Sequence, residues 1–312
     1  MTNRWLSAVP AQSKLDRVSP DSEQRPRASD AQNAAMPSAP RPAVAPELTL
    51  EDFRRYFSRS PTALAIKECA RLSVIRRYAC PSPILDVGCG DGLFAQMAFD
   101  DAEVWGIDID AAEGRWAAAS KAYSQIILGD VTRASLPESF FATCVANCSL
   151  EHVPRIDLAL RNIHDSLRPG GIAYLFVPTA DWASHLLSAR MLTKFIGPAW
   201  GKKIERAIDT QFRHHHLYDA DGWRRLVVES GMEVVEIEPV LSTATTVAFE
   251  AFLLPSLAGL LNKKLTTRWT NFPPLRELLA KPVYHAVKSI MDRSDQTATA
   301  EFLVVARRPE AE

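Results

Sequence analysis

Pro83-Ile84-Leu85-Asp86-Val87-Gly88-Cys89-Gly90-Asp91-Gly92-Leu93-Phe94 is the stretch that decides the reading of this chain. A short apolar run ends in an acid and breaks into three glycines at alternate positions, and an amphipathic run over 93–99 follows at once. The pattern predicts a buried parallel strand, a tight turn and the start of a helix. Glycine lets backbone approach a ligand, because no Cβ intervenes and positive φ carries no steric cost. The first amides of the helix face the same crevice. A dinucleotide fingerprint, G-x-G-x-x-G, would need its third glycine at 93, where the chain has Leu93. Asp86, at the end of the strand, would repel a pyrophosphate but suits a cationic ligand.

Working outward, strand and helix patterns alternate. Strands are expected over 84–87, 103–108, 124–128, 142–146 and 172–177, with helices over 111–122 and 156–167 between them. Repeats of this length imply right-handed crossovers and a parallel sheet. Two helices, over 51–57 and 63–78, precede the first strand. Residues 178–213 read as a mixed polar and apolar connection. A helix over 219–231, with Asp219 as cap and Gly231 as stop, leads to a sixth strand over 232–239, and the last strand falls at 300–306. Residues 240–299 are too many for a structureless loop. Phe249, Phe252, Leu253, Leu257, Leu260, Leu261 and Leu265 recur there at helical spacing, so this is a helical insertion, kinked at Pro255. Residues 1–46, rich in Ala, Pro, Ser and Gln, are expected to form a disordered tail.

The 312-residue chain is 47% hydrophobic and 23% charged, with a net charge of −1. These are globular values, and no overall field favours nucleic acid. Five cysteines without a C-x-x-C pair suggest neither a disulfide framework nor a zinc site. No signal-like or membrane-spanning run stands out, so a cytoplasmic protein is expected.

The D-x-G-x-G-x-G arrangement of Asp86, Gly88, Gly90 and Gly92 resembles motif I of the class I S-adenosylmethionine (SAM) dependent methyltransferases. Asn147-Cys148-Ser149-Leu150-Glu151-His152 resembles the "LEH" loop of the ubiquinone/menaquinone (type 11) branch, and Leu167-Arg168-Pro169-Gly170-Gly171 resembles its "LkPGG" turn. The resemblance is strong over 86–178 and loose as far as 231. It implies a Rossmann-like, seven-stranded, doubly wound α/β sheet with an antiparallel last strand, and SAM as cofactor. The implied cofactor residues are Asp86, Gly88, Gly90 and Gly92; Asp108 for the ribose hydroxyls, with Ile109; Asp130 for the adenine amino group, with Val131; and Asn147.

Methyl transfer is an in-line displacement, so the protein chiefly aligns the acceptor and excludes water. A base is needed only when the acceptor arrives protonated, and His152, at the strand-four loop, either fills that role or helps to hold the cofactor loop. His215 and His216, from the run His214-His215-His216, are the further catalytic candidates at the mouth of the acceptor pocket. Three consecutive histidines cannot all face one metal ion in helix or strand geometry, and no Cys or acid pair accompanies them, so no metal is expected. The proline-aromatic clamp of nucleic-acid methyltransferases is missing after strand four, which disfavours DNA and RNA. The expectation is methylation of a small hydrophobic, even lipid-like, acceptor at oxygen or carbon. A protein or peptide substrate is one alternative, and a non-catalytic SAM-fold binding protein is another. The apolar stretch 247–265 is a candidate for peripheral membrane contact, for a cap on a hydrophobic acceptor, or for packing on the core or a second subunit.

Overall fold

The structure is a computed structural model that describes residues 49–212, 214–253, 273–291 and 299–310. The tail over 1–46 and the part of the insertion carrying Leu257, Leu260, Leu261 and Leu265 lie outside the described residues.

Seven strands form one sheet: β1 (Ile84–Val87), β2 (Val104–Asp108), β3 (Gln125–Leu128), β4 (Phe141–Asn147), β5 (Leu167–Pro178), β6 (Glu233–Pro239) and β7 (Glu301–Arg307). Their order is β3-β2-β1-β4-β5-β7-β6. The first five are parallel, and β7 runs antiparallel to both β5 and β6. The topological switch therefore lies between β1 and β4, where ligands of open α/β sheets bind. The central strands are buried on both faces, so they read as continuous apolar runs instead of alternating ones.

Ten helices are described: α1 (Leu50–Arg59), α2 (Thr62–Ile75), α3 (Leu93–Ala98), α4 (Ala111–Ser120), α5 (Ile156–Ser166), α6 (Leu187–Phe195), α7 (Pro198–Phe212), α8 (Ala220–Glu229), α9 (Thr243–Ala251) and α10 (Pro273–Met291). One sheet face packs Val145, Tyr174, Phe176, Leu303 and Val305 against α1 and α2. The other packs Leu85, Cys144, Leu175 and Val304 against α5 and α8, with Trp223 fully buried.

The stretch 178–213, expected as a connection, holds among its described residues a short 3-10 turn (Trp182–His185) followed by the helical hairpin α6–α7. Arg168 to Gly171, expected as a turn, is counted within β5, whose pairing with β4 shifts register between Phe141 and Thr143. Within 240–299, α9 packs on α2 and α10 on α1. The Arg276 guanidinium of α10 lies 4.1 Å above the Phe57 ring and donates to Ser60 O at 2.9 Å. Phe249 on α9 is buried. These helices thus bind the two helices that precede the sheet.

Candidate active site

The glycine turn is tied down from both sides. Gly88, Gly90 and Gly92 have φ values of 74°, 54° and 80°, in the left-handed region that favours glycine. Their surroundings differ. A Cβ on Gly88 would lie 2.4 Å from Ser149 Cβ, and one on Gly92 would lie 2.6 Å from Ser120 Oγ; one on Gly90 would meet nothing within 4 Å. Gly88 and Gly92 are therefore packing glycines against the β4 loop and α4. Gly90 faces open space, the side a ligand would approach.

The two acids of this wall have different environments. Asp108 takes the Gly90 N–H at 2.9 Å on one oxygen and the Asp110 N–H at 2.8 Å on the other. Each oxygen retains a lone pair for a ligand hydroxyl. Asp86 is buried and accepts the Tyr123 hydroxyl at 2.7 Å. Burial pushes its carboxyl up to about 7; the Tyr123 hydrogen bond offsets part of this, and the charges of Asp108 and Glu68 add to it. Ile109, 76% exposed, lies open at the end of β2. Asp130 accepts the Thr132 N–H at 2.9 Å, closing its own loop. Val131 is buried in the core, while its carbonyl accepts the Asn162 amide at 2.7 Å. Asp110 caps α4 through the Ala112 N–H.

Beneath the β4 loop lies a buried polar network that the sequence did not suggest. Asn147 donates to Glu68 at 2.8 Å, and Arg71 reaches Glu68 at 2.7 Å, Glu301 at 2.6 and 2.8 Å, and Cys148 Sγ at 2.9 Å. Burial pushes the Glu301 carboxyl up, but the charge and hydrogen bonds of Arg71, with Lys67, outweigh it and hold it below the usual range. Asn147 Oδ1 and the Tyr56 hydroxyl are buried without hydrogen-bond partners. Buried polar atoms are costly without partners, and these two have capacity for a polar ligand group.

On the acceptor side, the Glu151 carbonyl accepts the N–H groups of His215 at 2.8 Å and His216 at 3.3 Å. The histidine run is thereby stitched onto the β4 loop. His214 stacks on His152 with ring centroids 5.3 Å apart, and packs against Trp182 and Phe212. Burial, then the charges of His152 and Lys67, pulls the His214 imidazole down to about 4, so it is neutral near pH 7. Glu151 is buried, and burial raises its carboxyl despite the opposing charge of His152. Among the three predicted catalytic histidines, His152 and His215 are exposed. His216 places its ring nitrogens 3.1 Å from the Tyr218 hydroxyl and 3.0 Å from the Val153 carbonyl, so its ring acts as a strut for the loop. His214, which had no assigned role, occupies the position nearest His152. The signal in sequence was the run itself; its register on the β4 loop was not visible.

Residues 48–237 match the family described as a methyltransferase domain, about three-fifths of the chain. The chain belongs to that family. Its sheet order and its D-x-G-x-G-x-G turn are those of the class I SAM-dependent methyltransferases. An uncharacterized methyltransferase of Mycobacterium bovis is 37% identical over 91 residues, covering 28% of this chain and 46% of the relative. A malonyl-[acyl-carrier protein] O-methyltransferase of Pseudescherichia vulneris is 28% identical over 92 residues, covering 29% of this chain and 37% of the relative. The chain thus spans under half the length of these curated relatives. Among solved structures, the [4+2]-cyclase SpnF aligns with a TM-score of 0.49 at 18% identity, covering 78% of this chain and 82% of the other.

The site of this methyltransferase fits SAM on its own geometry. Gly90 leaves an open face, Asp108 keeps a free lone pair on each oxygen, Asn147 Oδ1 lacks a partner, and Asp86 is a buried carboxyl whose ionised form a cationic ligand would favour.

Proposed function

We propose that this methyltransferase transfers a methyl group from SAM to oxygen or carbon of a small, largely hydrophobic acceptor. When bound, SAM supplies a methyl group already activated by a sulfonium. The observation that carries the reading is the convergence of Gly90, Asp108 and Asn147 at the carboxyl ends of the central strands. Asp108 would hold the ribose hydroxyls. Asp130, Val131 and Ile109 would surround the adenine, with Ile109 excluding water from one face. The backbone of Gly88 and Gly90 would approach the amino-acid end. Asp86, held by Tyr123, would stabilise positive charge. Gly92 serves the same wall by letting α4 pack against the turn.

For a protonated acceptor, His152 takes the proton, with exposed His215 on the segment held by the Glu151 carbonyl and His216 bracing the β4 loop through the Val153 carbonyl. The hydrophobic character of the acceptor rests on the α6–α7 hairpin. Leu192, Ile196, Trp200, Ile204 and Ala207, with Lys203, line an apolar groove there of about 410 Å³, a volume suited to a small molecule. The 3-10 turn beneath this hairpin carries Trp182, whose ring packs on His214. An oxygen acceptor accords with the name of the Pseudescherichia vulneris relative. No helix among the described residues is long and apolar enough to cross a membrane. The lipid-like acceptor remains part of the proposal; within 247–265, buried Phe249 packs α9 on α2, so surface contact is proposed only for the remainder, which lies outside the described residues.

Calorimetric titration with SAM and its demethylated product tests the cofactor. The wild type is expected to bind in the micromolar range, and Asp108→Ala to lose about a hundredfold in affinity, the cost of two charge-assisted hydrogen bonds. A wild type that binds neither ligand would overturn the reading and bring forward a non-catalytic binding role.

A further inference from the structure

We propose that Glu151, His152 and His214 form a site for one divalent first-row transition-metal ion of the zinc, cobalt or nickel type. Each of the three offers one ligand atom, and these atoms lie within 4.8 Å of one another. Around a bound tetrahedral ion, ligand atoms stand about 3.3 Å apart. Side-chain rotation closes that difference, since two of the three ligands are loop imidazoles.

An independent observation points to a cation. The Glu151 side chain is 3% exposed, and its Oε2 is buried with no hydrogen-bond partner. Its Oε1 lies 3.8 Å from His152 Nε2, beyond hydrogen-bond reach. A carboxylate this buried is costly unless it is paired or coordinates a metal. Its own backbone N–H reaches the carboxylate, but neither imidazole donates to it, and Oε2 stays unpartnered although both rings stand near its end.

The surroundings are those of a ligand set. His214 is clamped between aromatic rings, and its Nδ1 stands 3.5 Å from Asp209 Oδ1, which is itself fixed by the Trp182 indole at 2.7 Å. Nδ1 makes no hydrogen bond at that distance, and a small ring rotation towards an ion would bring Asp209 into the place of an acid that orients a ligating imidazole. Two imidazoles and one carboxylate suit borderline ions, whereas magnesium and calcium prefer oxygen donors throughout. His152 is 43% exposed, so the outer coordination position is open. An acceptor bearing an oxygen or nitrogen ligand group would be held there. That last clause rests on the methyltransferase reading; the metal site does not. With the ion bound, His152 is a ligand instead of a proton acceptor.

The test uses the full chain, stripped with a chelator and titrated with cobalt(II), followed by visible absorption, and with zinc(II) and magnesium by calorimetry. Binding of one equivalent of cobalt and zinc is expected, with no magnesium binding. Affinity should fall at least about tenfold in Glu151→Gln and in His214→Ala, and stay unchanged in His164→Ala, which lies outside the cluster. Should a variant fail to fold, the wild type gives a second readout: cobalt should produce hyperfine-shifted imidazole N–H resonances from two histidines. Substoichiometric binding, variants that bind as tightly as the wild type, or an absence of shifted imidazole signals would overturn the proposal. SAM binding to the metal-free protein is measured separately. Its loss with cobalt binding intact would sink the methyltransferase reading and leave the metal site standing, and the reverse result would do the opposite.

Discussion

On the cofactor wall, Gly90 and Asp108 are joined by a backbone-to-carboxylate bond across 18 positions of sequence, within a single strand-helix-strand unit. On the acceptor wall, His216 meets the Val153 carbonyl across 63 positions, and Arg71 meets Glu301 across 230. The first wall is mostly main chain with few side chains, and its shape follows from glycine conformations and strand ends. The second is made of side chains from segments that had to be folded together first. The difference teaches where sequence motifs are informative. Short-range geometry leaves spacing signatures, while long-range docking leaves only composition.

The largest expected effect lies beneath the acceptor wall. Arg71→Met would leave Glu68 and Glu301 buried without their guanidinium partner, at a cost of about 3–5 kcal/mol. Urea unfolding measures this. A loss under about 1 kcal/mol would mean the network is dispensable, and the contrast between the walls would weaken.

Next comes a contrast within the cofactor wall itself. Gly88→Ala places a Cβ 2.4 Å from Ser149 Cβ at positive φ and is expected to cost about 2–4 kcal/mol. Gly90→Ala meets no neighbour, so only the backbone penalty of about 1 kcal/mol applies. Both should weaken SAM binding, the second without much loss of melting temperature. If Gly90→Ala binds SAM as tightly as the wild type, the open face is not where the cofactor approaches.

The most diagnostic effect is in pH. The Asp86 carboxyl is raised to about 7 from an ordinary 3.8, so the ligand-free fold binds this proton more tightly than the unfolded chain does. Its contribution to stability is fully present below 3.8 and is lost as pH rises through about 7. A cationic ligand needs the carboxylate, so SAM affinity should rise with pH by up to about tenfold per unit until near 7, then level off. Asp86→Asn should flatten that profile. A profile unchanged in the variant would remove Asp86 from the site.

Several elements were legible because they obey local rules. β1 and its glycine turn were marked by an apolar run followed by Gly88, Gly90 and Gly92. Asp219 announced α8 as its capping residue, and it makes that bond. The α6–α7 hairpin was not legible. Leu186 caps α6 with no side-chain hydrogen bond, and the two helices bury little beyond Ala189 and Gly201. Their stripes therefore looked like scattered apolar stretches. His214 was invisible as a neighbour of His152 for a different reason. Its place depends on two N–H groups reaching the Glu151 carbonyl from a distant segment.

The sequence by itself determined the sheet, its switch point and the cofactor wall, because strand periodicity, glycine conformation and helix caps act over a few residues. Only the tertiary structure decided that His214 stacks on His152, that Oε2 of the neighbouring Glu151 carboxylate is buried without a hydrogen-bond partner, and that Arg71 ties α2 to β7. Those facts depend on burial and on contacts between distant segments, which no local spacing encodes.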